Sequence, residues 1–188
     1  MVYGSDLGCP LLRIARNAIG ARFGLPVESI PIEAMLNQVG ATFVTLTRRG
    51  DLCGCVGTLK PIRPLRVDVQ QNAVGAAFRD MRFPPLARVE FDITSIEVSL
   101  LTVSEPLRSA DEDELLAQLR PAVDGVTIEY GYARATFLPQ VWESLPEPRR
   151  FLAELKRKAG LPPEFWHPEM NVSRYQVTNW KESEFFPV

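Results

Sequence analysis

Residues 41 to 59 read ATFVTLTRRGDLCGCVGTL: a run crowded with β-branched and aromatic side chains, a turn at RRGD, and a second run of glycine, valine and cysteine. Two extended runs joined by so short a turn can pair only in opposite directions, because a parallel partner needs a crossover of about a dozen residues or more. The same economy recurs downstream. GVTIEYGYARATFLP reads as two strands joined around Gly131. FDITSIEVSLLTV is a strand with Ile96, Val98 and Leu100 on one face and Glu97 and Ser99 on the other. SRYQVTNW reads as a last strand. Helical segments alternate with these strands, yet the connections are mostly too short for crossovers. The expected fold class is therefore α+β, a mainly antiparallel sheet with flanking helices. A dinucleotide-binding fold is excluded, since no glycine-rich turn links a strand to a helix at the required spacing.

The helices follow from apolar spacing. Leu7, Leu11, Leu12, Ile14, Ala15, Ala18, Ile19 and Phe23 recur at helical intervals, with Ser5 or Asp6 as N-cap, Pro10 in the first turn and Gly24 as the stop. RPLRVDVQQNAVGAAFRDMRF repeats the period through Leu65, Val69, Ala73, Ala76, Ala77 and Phe78, and Pro84-Pro85 ends it. SADEDELLAQLR places Ser109 three residues before Glu112, a capping-box spacing, and the acidic run from Asp111 to Glu114 suits the positive end of a helix dipole. QVWESLPEPRRFLAELKRKAG reads as two helical pieces broken near Pro146 and Pro148, the second ending at Gly160 behind Lys156, Arg157 and Lys158.

With 188 residues the chain can bury a sizeable core, and residues 1–188 are expected to form one domain, in one or two lobes. The 21 basic and 23 acidic side chains are interspersed, giving a net charge of −2. No basic stripe is present of the kind that neutralises phosphates, so nucleic acid is not an expected partner. No stretch approaches the roughly 18 apolar residues of a membrane span. Arg13, Arg16 and Arg22 interrupt the apolar N-terminal segment, which therefore does not read as a signal peptide. Three cysteines cannot all pair within the chain, and reduced thiols in the cytoplasm are expected.

Chemistry concentrates around GDLCGCVGTLKPIRPL. A structural zinc site wants four ligands, and beyond Cys53 and Cys55 the supply is Cys9 and the single histidine, His167, both far away in sequence. No metal site is expected, and a disulfide between neighbours two apart in extended chain sits near the limit of bridgeable separation. Cys55 has two readings: a small buried side chain in a strand-to-turn passage, or a thiolate stabilised by backbone N–H groups around Gly54 and Gly57, by the Thr58 hydroxyl and by an arginine. Its base would be Glu97, Glu129 or the substrate itself, since His167 sits in a proline-bounded aromatic loop. Arg82, ahead of Pro84-Pro85, is a candidate anion contact. RATFLPQVW puts Arg134 and Thr136 on one strand face and Gln140 at the start of the following helix, where they could line a cleft opposite Cys55.

LCGCVGT resembles the LRGCIGT signature of the AMMECR1 domain family. The resemblance continues through NAVGAAFRDMRFPPL, IEVSLLT, DGVTIEYGYARATFLPQVWESLP, FLAELKRKAGLP and the late RY, from about Leu7 to Tyr175. It is most similar to the bacterial AmmeMemoRadiSam system protein A type. The resemblance implies a larger lobe on an antiparallel sheet with flanking helices, a smaller α/β lobe, and association with a Memo-like protein and a radical SAM protein. It implies no established activity. The signature cysteine falls on Cys55, while the family's arginine is replaced by Cys53, so that Arg63, Arg82 or Arg134 would have to supply the cation. No cofactor motif appears, and radical SAM chemistry would belong to the partner. The resulting expectation is an enzyme or carrier with Cys55 as nucleophile, Glu129 as proton-transfer group, Gly54, Gly57, Thr58, Arg82, Arg134, Thr136 and Gln140 as ligand contacts, and a small anionic or modified substrate. A non-catalytic adaptor for the same partners is the alternative, and an RNA-associated factor a third.

Overall fold

A computed structural model describes residues 7–30 and 34–186. In chain order the elements are α1 (Gly8–Arg22), a 3-10 turn (Ala34–Asn37), β1 (Val39–Arg48), β2 (Asp51–Gly57), β3 (Arg63–Pro64), α2 (Leu65–Phe78), α3 (Arg88–Phe91) and β4 (Thr94–Leu101). There follow β5 (Glu105–Leu107), α4 (Glu112–Gln118), β6 (Gly125–Tyr130), β7 (Ala133–Phe137), a 3-10 turn (Pro139–Glu143), α5 (Pro148–Lys158), β8 (Asn171–Tyr175), β9 (Val177–Lys181) and α6 (Glu182–Phe185). The chain divides into two compact units, one ending at Leu101 and resumed from Thr178, the other Thr102–Val177.

The first unit is built on the sheet order β2-β1-β4-β9, with β3 also paired to β1. The β1–β2 and β1–β4 ladders are antiparallel. Its core joins Leu11, Leu12, Ile14, Ala15 and Ile19 of α1 and Leu65, Val69, Ala73 and Ala76 of α2 to Val44, Leu46, Ile96, Val98, Leu100 and Trp180 from the sheet. Each such aliphatic side chain contributes about 1.5–3 kcal/mol on burial, which is what holds two helices of modest intrinsic propensity against the strands. The second unit has the sheet order β5-β8-β6-β7, again antiparallel, over a core of Leu115, Val126, Ile128, Trp142, Phe151, Leu152, Leu155 and Val172. Within it Trp142 stacks on Phe151 with centroids 3.7 Å apart.

The α+β class with antiparallel sheets is as the short connections require. Local differences each have a cause. The N-caps expected at Ser5 or Asp6 lie outside the described residues. The second helix ends at Phe78, well before Pro84-Pro85, because Arg79 leaves helical geometry and the chain turns so that Asp80 can bond to β2. The cap of α4 is Asp111 rather than Ser109: Asp111 Oδ1 accepts from Glu114 N at 2.8 Å and Glu114 Oε2 accepts from Ala110 N at 2.6 Å. The run SRYQVTNW is not one strand but β8 and β9, divided at Gln176 between the two sheets.

Candidate functional site

β2 is an edge strand, and its register with β1 contains a β-bulge: Leu46 faces Gly54 and Thr47 faces Leu52, leaving Cys53 without a partner. The extra residue breaks the two-residue alternation. Cys53 packs against the core of the first unit, while Cys55 stands opposite Thr45. The C-x-C pair is thereby separated in environment, and all three cysteines are free and half-buried. Among the described residues, no group of three His, Cys, Asp or Glu side chains is placed to hold a metal ion.

The backbone of Cys55 is clamped from outside the sheet. Its N–H donates to Asp80 Oδ2 at 2.9 Å, and its carbonyl accepts from Arg82 Nη2 at 3.1 Å. Asp80 and Arg82 also bind each other, Arg82 Nε to Oδ1 at 2.9 Å and Nη2 to Oδ2 at 2.7 Å. The two side chains thus satisfy an edge-strand position that would otherwise offer open hydrogen bonds. Because the main-chain groups of Cys55 point away from β1, its pair with Thr45 is of the non-hydrogen-bonded kind, in which side chains stand closest. Thr45 Oγ1 accordingly donates to Cys55 Sγ at 3.4 Å. On the other side of β1, Thr45 is opposite Glu97, and Glu97 lies 3.7 Å from Lys181 Nζ. A polar row, Cys55–Thr45–Glu97–Lys181, therefore crosses the sheet on the face away from the helices.

The Asp80 carboxyl is held well below the usual carboxylate range, first by the Arg82 hydrogen bond, against the effect of burial, and further by the Cys55 N–H. Arg82 is raised in turn, first by its bond to Asp80 and further by the charges of Asp80 and Cys55. Its side chain is 60% exposed, so the cation beside Cys55 is open to a ligand.

The glycines of the signature have their places taken. A Cβ on Gly54 would lie 2.1 Å from the Ala76 carbonyl oxygen, and one on Gly57 would lie 2.2 Å from the Phe43 ring. Both are filled by close packing, of α2 and of β1 respectively. Thr58 turns toward α2: its hydroxyl accepts from Arg63 Nη2 at 2.8 Å. Behind it Asp68, fully buried, accepts from Arg63 Nε (2.8 Å), Thr42 N (2.8 Å), Thr42 Oγ1 (2.7 Å) and Asn72 Nδ2 (2.9 Å). Of the cations considered, Arg63 is committed to this network and Arg82 touches Cys55.

Glu129, Arg134, Thr136 and Gln140 belong to the second unit. Arg134 and Thr136 share the β7 face opposite the buried Ala135, as expected from the strand period. Arg134 Nε bonds to Glu129 Oε1 at 2.8 Å across the β6–β7 pair. Thr136 Oγ1 donates to Val126 O at 2.9 Å and lies 2.8 Å from the Tyr175 hydroxyl. Gln140 is exposed in the 3-10 turn.

Sequence reasoning missed Thr45, Asp80, Asp68 and Asn72 as parts of the arrangement. For Asp68 and Asn72 a signal exists: they lie four apart on a helix, on one stripe with Ala76. For Thr45 and Asp80 there is none, since only the strand register and the turn after α2 bring them to Cys55.

Residues 12–180 match the AMMECR1 family model. A protein of Methanothermobacter thermautotrophicus is 37% identical over 186 residues, covering 94% of this chain and 95% of that one. One from Thermotoga maritima is 34% identical over 175 residues, covering 90% and 94%. The crystal structure of the uncharacterized protein PH0010 from Pyrococcus horikoshii superposes with a TM-score of 0.81 at 31% identity, covering 95% of this chain and 92% of that one.

Proposed function

The chain belongs to the AMMECR1 family, and from that premise we propose that the sheet face around Cys55 is its working surface, with the thiol as nucleophile or covalent carrier toward a small anionic or modified substrate. One observation carries this reading: a half-buried cysteine whose sulfur accepts a hydroxyl hydrogen bond from Thr45, on a backbone fixed by the Asp80–Arg82 clamp. A hydrogen bond to sulfur favours the thiolate over the thiol, and rigid placement of the nucleophile lowers the entropy cost of attack. Arg82 would hold the substrate's charge, and Glu97, in the same row as Thr45, would take the proton. Glu129 bonds to Arg134 at 2.8 Å within the second unit, a tighter pairing than the 3.7 Å between Glu97 and Lys181. The bacterial AmmeMemoRadiSam type, working beside a Memo-like and a radical SAM protein, is the context the sequence resemblance supports.

The test is the rate of alkylation of Cys9, Cys53 and Cys55 in the reduced, native protein, read by mass spectrometry. Cys55 should react fastest. Thr45→Val and Arg82→Gln should each slow it. Alkylation of Cys55 only after denaturation would overturn the proposal and leave Cys55 a packing residue. The adaptor reading would then stand on Met81, which is 99% exposed directly between the two clamp residues and would be the docking contact.

A further inference from the structure

The first unit carries a second concavity that the Cys55 chemistry does not use. It is a groove of about 680 Å³ between the C-terminal half of α1, the segment after it, the α3–β4 turn and α6. That volume falls within the range of small-molecule sites. Its walls are largely apolar, with Leu25, Pro26, Phe91, Ile93 and Phe186.

The two arginines in it are used differently. Arg16 is spent on the fold: it bonds to both carboxylate oxygens of Glu182, to Phe91 O at 2.9 Å and to Thr94 O at 2.7 Å. Arg13, one helical turn earlier, has no hydrogen bond or ion pair among the described residues. Its Nε is sealed from solvent and unpartnered, and its guanidinium lies 5.7 Å from the centroid of the Phe186 ring. Arg13 lines the groove beside Phe186, and among the described residues it makes no contact with a carboxylate or a carbonyl.

The acids at the groove limit what that partner is. Glu182 is taken by Arg16 and Asp92 by Arg88, while Glu28 is exposed at the rim. Among the described residues Arg13 is the groove cation without an ion pair, and with carboxylates close by it suits a single negative charge and disfavours a dianionic phosphate. We infer that this groove binds an amphipathic monocarboxylate, its aliphatic chain against Phe91, Ile93 and Leu25 and its carboxylate on Arg13. The site is independent of Cys55 and of any reaction there.

The experiment uses the full chain and decanoate as the probe, with decanol as the uncharged control, by isothermal titration calorimetry and amide chemical-shift mapping. Decanoate should saturate at one site, with shifts confined to the groove residues. Arg13→Gln should weaken it at least tenfold while leaving decanol unchanged, and Arg13→Lys should restore part of the affinity. Ile93→Ser, at a position 56% exposed and so tolerant of change, should weaken both ligands. Absence of saturable decanoate binding, shifts centred elsewhere, or equal affinity in wild type and Arg13→Gln would each overturn the inference. Should Arg13→Gln fail to fold, Arg13→Lys and Ile93→Ser carry the same decision. Alkylation of Cys55 should be unchanged by bound decanoate, so failure here and failure at Cys55 remain separate results.

Discussion

Replacing Gly54 by alanine tests whether the glycine in the signature serves packing. The added Cβ would meet the Ala76 carbonyl oxygen at 2.1 Å and its carbon at 3.0 Å, both backbone atoms within α2. No rotamer change relieves that contact, so the helix and the strand must part. Overpacking of this kind costs about 1–3 kcal/mol. Losing the Asp80 bond to the Cys55 amide adds about 1 kcal/mol, and the stiffer unfolded chain returns about 0.4–1 kcal/mol. A net loss of about 1–3.5 kcal/mol should lower the melting temperature by about 3–9 °C for a chain of this length. Gly75→Ala is the internal control. Its Cβ meets only the Val56 side chain, at 2.9 Å, which can rotate at a cost of about 0.5–1.5 kcal/mol, while helix propensity returns about 1 kcal/mol. It should therefore stay within about 0.5 kcal/mol of wild type. Urea unfolding measures both variants, and hydrogen exchange of the β2 amides localises the effect. If Gly54→Ala is as stable as wild type, or Gly75→Ala is equally damaging, close helix–strand approach is not the reason for the glycine.

Two pH-dependent outcomes follow from the clamp and from the second unit. Asp80 has its folded pKa depressed, so its contribution is present above the unfolded value of about 3.9 and is lost as pH falls toward the folded one. Asp80→Asn should cost about 1–3 kcal/mol at neutral pH, with the gap to wild type narrowing below about pH 4 in acid–urea titrations. Tyr175 is the opposite case: burial pushes its phenol up to about 12, against the bond to Thr136. The folded state therefore holds the proton longer than the unfolded chain, and about 2–3 kcal/mol of stability is lost as pH rises from about 10 to 12. Tyrosinate absorbance should show one late transition, and Tyr175→Phe should remove it.

Much of the architecture was legible because it is local. Short turns at RRGD and around Gly131 force antiparallel pairs, and the apolar spacing of Leu11 to Ile19 and of Leu65 to Ala77 can be buried only as helix faces. The Arg134–Thr136 face followed from strand period alone. What was not legible depended on partners distant along the chain. Gly54 looked available to a ligand until Ala76 was placed on it, and Thr58 looked free until Arg63 and Asn72 reached it.

The sequence by itself determined the class of fold, because turn lengths and periodicities act within a few residues, and its motifs carried the resemblance to the family. Only the tertiary structure decided that Cys53 and Cys55 sit in different surroundings, since a bulge is a property of two paired strands. It also decided that Cys55 is held by Asp80 and Arg82 and hydrogen-bonded by Thr45, and that the Arg13 Nε is buried without a hydrogen bond. Those facts depend on register and on which side chains meet after the helices dock, and hydrogen bonds across 10 to 27 residues leave no periodic trace in the chain.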